Sequence, residues 1–235
     1  MTGSRRVSLF ALALPLALLC SPAVPGTGPA GAQSICDGAI LLQHDDGSFE
    51  NGYGWSGPGS RVPDFGAWAE RYESDVVCSV QFLFIDSGDF QDQTMDVFVW
   101  SDESGNPGTV LCVLRDIDPG PIAPWPQISI HDVPINCETG GPHFVGFWGE
   151  WPGAVHGWYL AADENGSGSG SPRTRIAPGL GYPTGWNHPN VVPFYSGIRG
   201  VGIRELALQS SGLPEPRGVV PATWGAVKAF YAPGR

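Results

Sequence analysis

The sequence predicts an all-β protein: a single antiparallel β-sandwich of the jelly-roll kind, with a short C-terminal helix or tail. Three observations carry this. Glycine (34) and proline (23) among 235 residues run well above ordinary usage and interrupt helices. The apolar runs between them are short and rich in β-branched and aromatic residues, as strands are. Turn signals recur between those runs, among them Asp45-Asp46-Gly47, Asn51-Gly52, Gly105-Asn106-Pro107-Gly108, Asp118-Pro119-Gly120 and Asn165-Gly166.

Taken in order, strands are expected over 39–43, 67–72, 76–85, 94–100, 109–115, 127–131, 144–148, 157–162 and 198–208. In the third, Cys78, Val80, Phe82 and Phe84 alternate with Val77, Ser79, Gln81 and Leu83. The first set is the more apolar and should face the core. The fourth is apolar on both faces, Met95, Val97 and Val99 against Asp96, Phe98 and Trp100, which suits a central strand.

Both ends differ from the middle. Arg5 and Arg6 precede an apolar run, Leu9 to Leu19, too short for the roughly 20 residues that span a bilayer. Ala30-Gly31-Ala32 then offers a small-x-small cleavage site, so residues 1–32 read as a signal peptide. The paired arginines leave general and twin-arginine export both open. Residues 33–209 form the expected β-domain. Residues 210–235 read as a Pro/Gly/Ser-rich linker and tail, with a short helix expected over 224–231. The expected location is therefore secreted or periplasmic.

Four cysteines follow the signal: Cys36, Cys78, Cys112 and Cys137. An even count in an exported chain reads as two disulfides. Three pairings are open, with Cys112–Cys137 favoured because its span suits neighbouring strands. The formal net charge is −11 and Lys228 is the sole lysine, which argues against nucleic acid or an anionic membrane as partner. No run after the signal is long enough to insert in a membrane.

The chemistry-bearing patterns are few. The chain has no G-x-S-x-G elbow, no H-E-x-x-H and no nucleotide fingerprint. Glu50, Glu70, Glu138, Glu150 and Glu164 are the acids that a glycosidase pair could draw on. Of these, Glu150 is the most suggestive because it lies between Trp148 and Trp151. No cofactor is expected, although acidic turns bearing Asp86, Asp89 and Asp92, and Asp163 and Asn165, supply the hard oxygens that calcium prefers. Seven aromatics in or beside turns, Tyr53, Trp55, Trp148, Trp151, Trp158, Tyr182 and Trp186, could stack on sugar rings. Equally, they could plug the ends of the fold.

Several strings carry a resemblance. The opening Asp45, Asp46, Gly47, Glu50, Asn51, Tyr53 and Trp55 matches a DDGxxENxYxW pattern. Trp151-Pro152-Gly153, then Gly157 to Asp163, then the IAPGxGYPTGW segment Ile176 to Trp186, continue it. In these the chain resembles uncharacterised secreted, jelly-roll-like β-sandwich proteins of environmental bacteria. The resemblance implies export and a β-sandwich, and it implies no reaction. The functional expectation is an exported non-catalytic module, structural or adhesive, with a glycan or cell-surface partner. A carbohydrate-binding, lectin-like module, with or without calcium, is the alternative, and a glycoside-acting hydrolase is third.

Overall fold

The computed structural model describes residues 36–55, 65–86, 88, 93–151 and 157–209, together with the backbone of 220–221. The expected signal peptide and the expected helix over 224–231 lie outside them. The protein is all-β. Its strands are β1 (Ile40–Leu42), β2 (Asn51–Tyr53), β3 (Phe65–Ile85), β4 (Met95–Asp102), β5 (Pro107–Ile117), β6 (Ser129–Glu150), β7 (Tyr159–Asp163), β8 (Arg173–Ile176), β9 (Gly185–Asn187), β10 (Gly200–Val201), β11 (Ile203–Leu208) and β12 (Val220–Pro221). Two 3-10 turns, Pro189–Val191 and Pro193–Tyr195, interrupt the run between β9 and β10.

All strand-to-strand ladders are antiparallel, and the main path is β12-β1-β11-β3-β6-β4-β5. The pairing is that of one open sheet, not of two separately paired jelly-roll sheets. Two pairs of expected strands prove continuous: 67–72 with 76–85 in β3, and 127–131 with 144–148 in β6. Val220–Pro221, inside the expected linker, adds an edge strand beside Ile40–Leu41.

The β3–β6 ribbon folds back on itself. Phe147 pairs in register with Trp68, yet its ring lies 5.6 Å from Phe82 and 5.2 Å from Phe84. A straight strand would hold Trp68 and Phe82 about 45 Å apart. The ribbon therefore turns between them, where its register shifts at Ser74/Val76 and again at Val77/Ser79. Bulges of this kind add bend and twist. The facing part of β6 supplies Asn136, Gly140 and Gly141, all at positive φ.

The second bulge also changes which side chains face inward. Val77 joins Val80, Phe82 and Phe84 in the main core, while Cys78 turns to a smaller cluster with Cys36, Ala39 and Leu206. Strict alternation had placed Cys78 with the first group. The main core centres on Trp68, Phe82, Phe84, Phe147, Trp151, Trp158 and Leu160. Disulfides join Cys36 to Cys78 and Cys112 to Cys137, the latter as expected. Among the described residues no helix is long and apolar enough to cross a membrane.

Candidate functional site

The DDGxxENxY opening and the following AADENG string meet in space. Asn51–Tyr53 pairs with Leu160–Ala162. The backbone amide of Asp46 donates to Asp163 Oδ2 at 2.9 Å, and the amide of Glu164 donates to Glu50 Oε2 at 2.9 Å. Asp163 Oδ1 accepts from the Asn165 amide at 3.1 Å. Burial, with Asp46 and Glu50 nearby, lifts Asp163 above the ordinary carboxylate range despite those two amide donors. Both its oxygens therefore serve as turn acceptors. Among the described residues, no group of three or more His, Cys, Asp or Glu side chains is arranged to hold a metal. Asp89 and Asp92 lie outside those residues.

The seven turn-borne aromatics separate into two groups. Trp55, Trp151 and Trp158 are buried. The Trp55 indole N–H donates to Thr174 Oγ1 at 2.8 Å, and that of Trp151 to the Thr94 carbonyl at 3.0 Å. Trp151 and Trp158 lie 4.5 Å apart, centroid to centroid. These three rings serve the core. Tyr53 and Tyr182 are half-buried against it. The Tyr53 hydroxyl donates to Glu164, and its ring meets Tyr195 edge-on. Burial, that bond and the Glu164 charge raise its pKa.

Trp148 and Trp186 are half-buried on the opposite face of the sheet, with Phe98, Trp100 and Phe144. Trp148 lines a groove of about 410 Å³ with Phe98, Asp96, Arg115, Asp116 and Glu150. Its indole N–H donates to Glu150 Oε1 at 3.1 Å. The Arg175 guanidinium sits over the ring at 4.2 Å, so a cation already covers one face. Arg115 pairs with Asp96 across the same groove.

Sequence reasoning missed Trp125. Among the described residues it is the one tryptophan with more than half its surface exposed, at 51%. It lines a second groove, of about 250 Å³, with Asn51, Gly52, Ile85, Asp86 and Tyr159. The loop carrying it is pinned to the end of β3. The Asp86 amide donates to the Ala123 carbonyl and the Trp125 amide donates to the Asp86 carbonyl, each at 3.0 Å. The Gln127 amide donates to the Pro124 carbonyl at 3.0 Å. The Asn51 amide is likewise held: its Oδ1 accepts from Gly52 N at 2.9 Å, and its Nδ2 donates to the Tyr53 hydroxyl at 3.2 Å. A flat indole, a half-exposed phenol ring, a carboxamide and a buried carboxyl thus share one small concavity.

The sequence does hold a signal for Trp125. It sits between Pro124 and Pro126, outside any alternating pattern. A tryptophan with no strand partner and proline on both sides has little means of reaching a core.

No protein-family model matches the chain, and neither a curated protein nor a solved structure matches it.

Proposed function

We propose that this chain is an exported, non-catalytic β-module that binds carbohydrate at the Trp125 groove and acts as an adhesive element outside the cell. Export is supported by the signal-like residues 1–32 and by two disulfides, which persist in oxidising compartments. The observation that carries the binding reading is the exposed Trp125 ring beside Tyr159, Asn51 and Asp86.

The chemistry follows from the sugar itself. A pyranose presents an apolar C–H face and a rim of hydroxyls. Aromatic rings match the face, while an amide and a carboxyl match the rim. The groove is below the roughly 300–1,000 Å³ of sites that enclose a drug-sized ligand, which suits one or two sugar rings at a chain end. The larger Trp148 groove fits a sugar less well, because Arg175 occupies a face of its indole.

The test is a glycan and polysaccharide binding screen, run with and without chelator. The expected result is binding abolished by Trp125→Ala and kept by Trp148→Ala. Absence of any binding sinks the reading. Binding lost only with Trp148→Ala moves the site to the other groove. Loss on chelation assigns calcium a part.

A further inference from the structure

Three buried titratable side chains and one half-buried histidine converge where the segment after β1 crosses β3, β6 and β11. The buried three are Glu70, His143 and Glu205, the half-buried one is His44, and the buried Tyr72 lies among them. His143 and Glu205 are both fully buried, with Nε2 and Oε2 at 2.8 Å. The other ring nitrogen, Nδ1, lies 2.7 Å from the Gly141 carbonyl. A carbonyl oxygen only accepts, so Nδ1 carries hydrogen. A neutral imidazole would then turn a lone pair toward the carboxylate. One further proton must lie between Nε2 and Oε2, and the pair holds it in the fold.

The second pair is looser. His44 Nδ1 lies 3.5 Å from Glu70 Oε1, and its ring packs on Tyr72 at 4.5 Å. Glu70 Oε1 also accepts from the amides of Ser171 at 2.6 Å and Arg71 at 3.0 Å. Glu70 Oε2 and Glu205 Oε1 are buried without a hydrogen-bond partner among the described residues. Positive charge on the histidines is what makes such carboxylates tolerable in the interior.

We infer that the His143–Glu205 and His44–Glu70 pairs form a proton-held clasp that fastens β11 and the segment after β1 onto the β3–β6 ribbon, and that it loosens as pH rises. The charges facing it are few. His44 sees Glu70 from β3, Glu205 from β11 and the adjacent Asp45. His143 sees Glu205, with Arg71 of β3 opposing. Asp45 is tied to Arg204 of β11, and Arg173 and His188 lie near enough to feel Glu70.

Burial pulls both histidines down, and the facing carboxylates outweigh it, so both stand above 6.5. A histidine raised in the fold stabilises fully below its unfolded value, and that contribution is lost as pH climbs through the folded value. His131 and His188 are lowered by burial, so their contribution runs the other way and is lost as pH falls.

The test measures Tm from pH 5.5 to 9 for the protein, His143→Gln and His44→Gln, with ¹⁵N spectra of the imidazoles in the native protein. The expected result is a Tm that falls above pH 6.5. The fall is roughly 3–5 °C for each tenfold gain in histidine proton affinity. The slope flattens in His143→Gln. The spectra show His143 protonated on both nitrogens well above pH 6.5. A His143 ring that titrates at or below 6.5 overturns the inference, and this readout needs no variant to fold. An unchanged slope in a folded His143→Gln overturns it too.

Discussion

The disulfide between β5 and β6 offers a prediction whose size can be worked from the fold. Among the described residues, strand β5 is laddered only to β4, and residues 129–138 of β6 only to β3. Cys112–Cys137 bridges these two edges, closing a loop of sequence separation 25. Chain-entropy arithmetic assigns a loop of that length about 3.5 kcal/mol. A domain has only about 5–15 kcal/mol in total, so Cys112→Ser with Cys137→Ser should remove a large fraction. At about 2–4 °C per kcal/mol for this chain length, Tm should drop by roughly 7–14 °C. Cys36–Cys78, with separation 42, should contribute nearly the same, about 4 kcal/mol. The assay is urea unfolding under non-reducing conditions, comparing midpoint and slope. The slope should rise as well, because an uncrosslinked unfolded chain exposes more surface. A loss below about 1 kcal/mol would show that the bridge adds little. It would mean that the β4 ladder and packing already hold β5 in place, and that the unfolded chain is not expanded enough for the loop to matter.

Other consequences are as specific. Trp158→Ala removes a ring packed on Trp151 at 4.5 Å and Phe84 at 5.1 Å, and should cost about 3–5 kcal/mol by denaturant titration. Arg204→Met leaves the buried Asp45 without its guanidinium and should cost about 3–5 kcal/mol, with Asp45→Asn in the same chain restoring part of it. Tyr72→Phe deletes a hydroxyl that donates to the Ile203 carbonyl at 2.7 Å inside the core, and should cost about 1–3 kcal/mol.

Most strands were legible because β-branched runs between turn residues say little else. The continuity of β3 and β6 was not. Ser74-Asp75 and Gly140-Gly141-Pro142 read as breaks in sequence, yet Ser74 pairs with Gly141 across the corner. Glycine at positive φ there permits a bend that the ladder follows round. The same corner explains Cys78, whose side a strict period of two assigns wrongly once a bulge intervenes. Strands β2, β8 and β9 are three or four residues long, too short to show any period.

The aromatics teach a related lesson. Tryptophans among glycines left a solvent rim and a plugged core both open, and around Trp151 the glycines make room for the ring. A Cβ on Gly149 would lie 2.1 Å from it, and one on Gly157 only 1.9 Å. Glycine beside an indole here marks a cradle in the core. Trp125, flanked by proline, is the most exposed tryptophan among the described residues. The buried His143–Glu205 pair was invisible because its partners stand 62 residues apart and meet only through the fold.

If Trp125 is a sugar-stacking platform, a glycan titration should change the protein's tryptophan fluorescence. The glycan to use is the one selected by the binding screen, with Trp125→Phe, Trp125→Ala and Tyr159→Ala as comparisons. Stacking predicts saturable quenching in the native protein. Trp125→Phe should weaken binding modestly, Tyr159→Ala by about tenfold, and Trp125→Ala should abolish it with Tm unchanged. Full affinity in a folded Trp125→Ala protein would show that Trp125 is not the stacking ring.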